Sequence, residues 1–327
     1  MHPLFAPCLH VFDIEWKREY NYIVCKTLVG GIHLGNTRLK VIIIFVIAFC
    51  ILNIAGCDVG QDIEVNESDK RIVAVTIVPQ KTFVEAVCGD LVEVVVMVPP
   101  GNSPSNYEPI PSEMGQFSKA EVYFAIGVPT EEANILPITE EFKNMKVVKL
   151  QEEILKEYPE REFSSGERDP HIWLSPKRVK GMVSVIAREM MEIDPANEDQ
   201  YQNNAQNYIS KLETLDQQIK DVVNNMESKK IIVFHPAFGY LADDYGIQMY
   251  ALEQNGKEAT PQRLMEMIDL AKEEDIKVIF YQAEVSSRQA QAFAEEIGGK
   301  TEQLAPLSPN YIENLKNMVE TMNEVMK

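Results

Sequence analysis

From residue 72 onward the chain alternates two hydrophobic patterns. Short runs dominated by valine, isoleucine and phenylalanine fall at 72–78, 91–98, 121–126 and 146–150, then at 230–234, 247–252, 277–281 and about 300–304. Between them lie stretches whose apolar residues recur at helical spacing. Strands that alternate with helices form α/β units with parallel strands, and near-continuous Val/Ile content marks strands covered on both faces. The two sets of four also overlay. RIVAVTIVPQKTFVEAVCGD and KKIIVFHPAFGYLADDYGI both run strand, turn and helix; VEVVVMVPPGN then matches IQMYALEQNGK, and the helix opened by Pro111 matches the one opened by Pro261. An approximate internal repeat, and hence two lobes of similar topology, is expected.

Between the two sets, Asp194-Pro195 opens a segment without glycine or proline. Tyr201, Ala205, Tyr208, Leu212, Leu215, Ile219 and Val223 form a narrow apolar stripe along it. The spacing predicts one rigid helix over 196–226, about 45 Å long at 1.5 Å per residue. The expected architecture is α/β: two parallel-sheet lobes, 72–195 and 227–327, joined by that helix. Strand C-terminal ends of such lobes, and the loops after them, face a ligand cleft between the lobes.

The first 56 residues follow a different pattern. Arg38 and Lys40 precede the apolar run 41–52 (VIIIFVIAFCIL), and small residues lead to Cys57. The run is too short for a bilayer-spanning helix, which needs about 20 apolar residues, and it fits a signal peptide over 38–56. Ile54-Ala55-Gly56-Cys57 is similar to a lipobox, in which the cysteine is lipidated and becomes the first mature residue. A signal normally opens a chain, so residues 1–37 are read as lying upstream of the true translation start. A polar tether, 57–71, then leads to the first lobe.

Charge narrows the function. The chain has 31 basic and 50 acidic residues, a formal net charge of -19. No basic stripe is present to release the counterions of a phosphate backbone, so nucleic acid is excluded as a partner. Of five cysteines only Cys57 and Cys88 lie beyond the signal. A lipidated Cys57 cannot pair, so no disulfide is expected, and Cys88 is a buried small residue. No phosphate loop, nucleophile elbow or HExxH helix occurs.

Only two of the five histidines, His171 and His235, lie in the mature chain. His235 begins the turn after the run at 230–234, and His171 sits in DPHIWLSP, just before a helix that Pro176 can start. Neutral imidazole is the commonest protein ligand of Zn, Mn and Fe, and one histidine from each side would make a metal the latch of the cleft.

HPAFGYLADDYGI, DPHIWLSP and the loop PPGNSPSNYEPIP together resemble the zinc- and manganese-specific solute-binding proteins of ABC importers. The resemblance implies two α/β lobes on a rigid helix, with one divalent cation held between them for delivery to a membrane permease and its ATPase. The second and third family histidines fall on His171 and His235. The first loop of the family carries a histidine two residues before the aromatic of YEP; here that position is Ser105. A carboxylate common in the family two residues after Phe280 is replaced by Gln282, and the aspartate of manganese-associated members by Ser286. Glu284 is expected to restore the missing charge, because strand alternation puts it on the same side as Gln282. Glu253, in the loop after 247–252, is the weaker substitute. The acidic stretch 151–169 stands where many zinc members have a histidine-rich loop, and it reads as a solvated flap.

The expectation is therefore a lipid-anchored, monomeric, non-enzymatic carrier on the outer face of the cytoplasmic membrane. It would bind Zn²⁺, with Mn²⁺ or Fe²⁺ as alternatives. The ligands are His171, His235 and Glu284, with Ser105, Gln282 and Glu253 as further ligands or groups behind them. Two readings stay open: another solute or a surface interaction on the same fold, because two ligands are replaced, and a zinc hydrolase with Glu284 or Glu253 as base. Changing Cys57 to Ala tests the anchor, since two acyl chains give stable membrane attachment. Wild-type protein is expected in the membrane fraction and Cys57→Ala outside it; a variant that stays membrane-bound rules the lipobox out.

Overall fold

A computed structural model describes residues 70–253, 259–284 and 288–326. Cys57, the signal segment and Ser286 lie outside the described residues. The first lobe runs β1 (Arg71–Val75), α1 (Val78–Cys88), β2 (Val92–Val96), α2 (Pro111–Phe117), β3 (Val122–Ala125), α3 (Leu136–Thr139), β4 (Lys146–Lys149) and α4 (Leu150–Ile154). Two long helices follow, α5 (Pro176–Ile193) and α6 (Glu198–Asn224). The second lobe runs β5 (Lys230–Val233), α7 (Gly239–Tyr245), β6 (Gln248–Ala251), α8 (Pro261–Glu273), β7 (Val278–Gln282), α9 (Arg288–Glu296), β8 (Lys300–Leu304) and α10 (Tyr311–Val325).

Both sheets are parallel and share one strand order, β2-β1-β3-β4 and β6-β5-β7-β8. All eight expected strands are present, the first six a little shorter than their apolar runs and the last two of the expected length, and the repeat inferred from the sequence appears as identical topology. In each sheet the order reverses beside the first strand, which opens a crevice beyond the strand C-termini. The loops after β2, β3, β5, β6 and β7, together with the stretch between α4 and α5, carry the residues discussed below.

Strand alternation divides the core. Val73, Val75, Val122 and Phe124 of one sheet, and Ile231, Val233, Val278 and Phe280 of the other, belong to a single apolar cluster. Residues of opposite parity face separate clusters, one around Ala74, Phe117 and Tyr123 and the other around Ile232, Met267 and Ile279. The shared cluster is completed by Met182 and Ile186 of α5, by Tyr201, Leu212, Leu215 and Ile219 of α6, and by Leu315, Met318 and Met322 of α10.

Helix α6 spans 27 residues, about 40 Å. It is shorter than the expected 196–226 because Pro195–Asn197 form a 3₁₀ turn ahead of it. Glu198 and Asp199 in its first turn complement the helix dipole. Two ties add to the apolar packing: the Tyr201 hydroxyl donates to Asp194 (2.7 Å), and that of Tyr245 on α7 donates to Asp216 on α6 (2.8 Å). At the start of α5, Ser175 caps Arg178 N and donates to Asp244 of α7 (2.5 Å), while Arg178 pairs with Asp244 (3.2 Å) and lies over the Tyr240 ring (4.4 Å).

Leu212 is fully buried in this shared core. Leu212→Ala is expected to lose about 2–5 kcal/mol of unfolding free energy, whereas Ser210→Ala on the exposed side should stay within about 0.5 kcal/mol of wild type. Urea denaturation of both variants checks this.

Candidate metal centre

His171 and His235 meet. His171 Nε2 and His235 Nε2 lie 3.2 Å apart, and the ring centroids are 5.1 Å apart. His235 leaves the end of β5, where Phe234 N–H still bonds to Phe280 O of β7 and fixes the strand end (2.7 Å). His171 stands between the buried Asp169 and the one-turn helix Ile172–Leu174. That turn is held by Trp173, whose Nε1–H donates to Pro306 O (3.0 Å) and whose carbonyl accepts from Tyr311 (2.7 Å). Trp173 is therefore core.

Each ring is oriented from behind. His171 Nδ1 lies 2.7 Å from Asp169 Oδ1, which also accepts the His171 backbone N–H (3.0 Å). His235 Nδ1 lies 2.7 Å from Glu253 Oε2. An ionised carboxylate only accepts, so both Nδ1 atoms carry the proton and both Nε2 lone pairs face each other. Two acceptors at this separation need a positive charge between them, either a proton or a metal ion. Two imidazole nitrogens on a tetrahedral zinc, each at about 2.0–2.1 Å, sit about 3.3–3.4 Å apart. The observed pair is within about 0.2 Å of that spacing, so the residues fit a divalent cation. Burial pushes the His171 pKa below its usual 6.5, against the opposing pull of Asp169.

The histidines open into a cavity of about 1000 Å³ that is also lined by Ser105, Glu253, Glu284 and Arg168. Glu132 and Glu167 line it as well, so carboxylates outnumber the arginine and favour a cation. Glu284 Oε2 is buried without a hydrogen-bond partner among the described residues, and burial raises the pKa of its carboxyl. Among the described residues no three His, Cys, Asp or Glu side chains stand together as a finished cage. Two imidazoles are preassembled, with Ser105, Glu253 and Glu284 on the same cavity wall.

Several expectations change. Gln282 is the last residue of β7 and is buried, but the cavity lining does not include it. The alternation argument that linked it to Glu284 fails because the strand ends at Gln282 and Glu284 lies in the following turn. Glu253 is held on His235 rather than standing alone in its loop. The stretch 151–169 is not a free flap. Asp169 is fully buried, and Arg161 and Arg168 are anchored by hydrogen bonds. Sequence reasoning missed Asp169, although its place two residues before His171, with proline between, is the spacing that lets one carboxylate meet both the backbone and the ring of the histidine.

The comparisons with known proteins agree with this fold. Residues 73–325 match the family described as zinc-uptake complex component A, periplasmic. The high-affinity zinc uptake system protein ZnuA of Bacillus subtilis is 31% identical over 279 residues, 81% of this chain and 88% of that protein. The manganese-binding lipoprotein MntA of Halalkalibacterium halodurans is 31% identical over 254 residues, 76% of this chain and 82% of its own. A crystal structure of ZnuA superposes with a TM-score of 0.73 at 36% identity, covering 79% of this chain and all of the other. With two lobes of one topology, a spanning helix and facing histidines between them, the chain belongs to the family of zinc-uptake complex component A proteins.

Proposed function

We propose that this protein is the extracytoplasmic cation-binding component of an ABC importer, with Zn²⁺ as its preferred cargo and Mn²⁺ or Fe²⁺ as weaker alternatives. The observation that carries the reading is the facing pair of imidazoles, each backed by its own carboxylate. His171 and His235 bind the ion through Nε2. Glu284, the carboxylate with an unpartnered oxygen in the same cavity, supplies charge, and Ser105 or water fills a remaining position. Gln282 has no direct part, and Glu253 acts on the ion through His235. The protein carries its cargo to a permease and its ATPase and is tethered to the membrane through Cys57. It acts as a monomer, as a carrier and not a catalyst.

Calorimetry of His235→Ala is expected to show zinc affinity at least tenfold weaker than wild type, and equal affinity places the ion elsewhere. The pH dependence follows from competition at Nε2. A metal needs the neutral ring, so affinity should be flat from about pH 8 to about 7 and fall below that. The depressed pKa of His171 keeps that ring available to lower pH than an ordinary histidine, and ¹⁵N chemical shifts of the metal-free protein should show His171 titrating below 6.5. Titration above 6.5 refutes the dry environment assigned to it.

Selectivity follows from Ser105. A site with two imidazoles and oxygen donors discriminates less against hard ions than one with three imidazoles, although the Irving–Williams order keeps zinc ahead. Ser105→His is expected to raise zinc affinity more than manganese affinity, and Glu284→Gln to weaken both by more than tenfold, about 1.4 kcal/mol. Unchanged zinc binding in Ser105→His removes the first loop from the site, and unchanged binding in Glu284→Gln removes Glu284.

A further inference from the structure

The stretch that reads as a solvated flap folds into a small hairpin. Phe163 N–H donates to Glu167 O (2.8 Å), Asp169 N–H donates to Arg161 O (2.8 Å), and Glu162 pairs antiparallel with Arg168. Its two arginines grip different lobes. Arg168 Nη1 donates to Gly127 O in the loop after β3 (2.7 Å) and its guanidinium pairs with Glu160. Arg161 turns to α7: its backbone N–H donates to the Tyr240 hydroxyl (3.0 Å) and its Nε to Asp243 (2.9 Å). Arg161 Nη1 also donates to Asp169 Oδ2 (2.8 Å), the carboxylate whose other oxygen orients His171.

Two glycines make room for these arms. A Cβ on Gly127 would lie 2.4 Å from Arg168 Nη1, and one on Gly239 would lie 2.4 Å from Arg161 Cζ and 2.6 Å from Asp169 Oδ2. The packing thus leaves a gap in each lobe where a guanidinium passes.

We propose that the hairpin 160–169 is a strap between the lobes, and that Arg161 is a positioning residue for the metal centre, acting through Asp169 on His171. The proposal rests on the metal reading of the cleft. Asp169 is fully buried, with one oxygen on Arg161 and the other on the backbone and ring of His171. Without the guanidinium, one buried carboxylate oxygen loses its charged partner and the carboxylate plane is no longer fixed. Arg161 also holds α7, the helix that follows the His235 turn. One side chain therefore ties the group behind His171 to the helix that follows the His235 turn, and so sets the spacing of the two Nε2 atoms. The wider fold does not depend on it, because Ser175, Lys177 and Arg178 hold Asp244 of the same helix independently.

The test compares Arg161→Ala, Arg161→Lys and Gly239→Ala in the full chain. Gly239→Ala keeps the arginine and displaces it. Zinc affinity by calorimetry is expected to fall about tenfold or more in Arg161→Ala and Gly239→Ala, as for other groups behind metal ligands, and less in Arg161→Lys, which keeps the charge but not the fork. Unfolding midpoints should move little, and added methylguanidinium should restore zinc affinity to Arg161→Ala without changing its midpoint. Hydrogen exchange of the metal-free proteins supplies the second readout, with faster exchange expected across 161–172 in Arg161→Ala. Wild-type zinc affinity in Arg161→Ala, or unchanged metal-free exchange, overturns the strap. Should the wild-type chain bind no zinc, the metal reading falls, and the exchange measurement decides the strap by itself.

Discussion

The histidine pair in the cleft depends on one apolar seam. The inner faces of both sheets, α5, α6 and α10 pack into a single cluster, so the two lobes share a core instead of meeting across a hinge of exposed chain. Close-packed interiors deform little, and the small gap between two imidazole nitrogens from different parts of the chain persists only if their supports hold still. A helix alone sets a distance; a helix whose apolar stripe is buried against both lobes also sets an angle. The preassembled pair in the cleft is a consequence of that packing.

Around the pair, charge is arranged in layers. The rings turn Nε2 toward each other and donate from Nδ1 to carboxylates, which fixes their orientation. The two carboxylates differ in their own partners. Asp169 shares its charge with Arg161, whereas Glu253 has only His235 as an ion-pair partner among the described residues. The cavity beyond carries an excess of carboxylates, consistent with a cationic ligand. An acidic chain is thus acidic where it matters for function as well as over its surface.

The repeat gives this arrangement its logic. Two sheets of the same strand order each open a crevice beside their first strand, and facing the crevices together brings the loops after β2, β3, β5, β6 and β7 to one cavity. Loops at these points can exchange residues without disturbing the sheets. Ser105, in the loop after β2 and on the cavity wall, stands at such a point.

The fold was largely legible in the sequence, because burial on both faces of a parallel sheet demands continuous runs of Val and Ile, and a connector helix demands one apolar stripe. Period and composition are local properties, and they located every strand, α6, and both histidines at strand-end or pre-helix turns. What tertiary structure decided was which groups meet. Nothing local to His171 says that its Nε2 lies 3.2 Å from that of His235, 64 residues away. Period-two reasoning placed Glu284 beside Gln282, but the strand ends at Gln282, and a turn obeys hydrogen bonding and packing, not alternation. The acidic stretch before Asp169 looked solvated because its composition is polar, yet arginine arms can be anchored only by carbonyls and carboxylates that the fold brings from both lobes. Composition and period set the elements, while long-range contacts, invisible to any window along the chain, set the chemistry of the cleft.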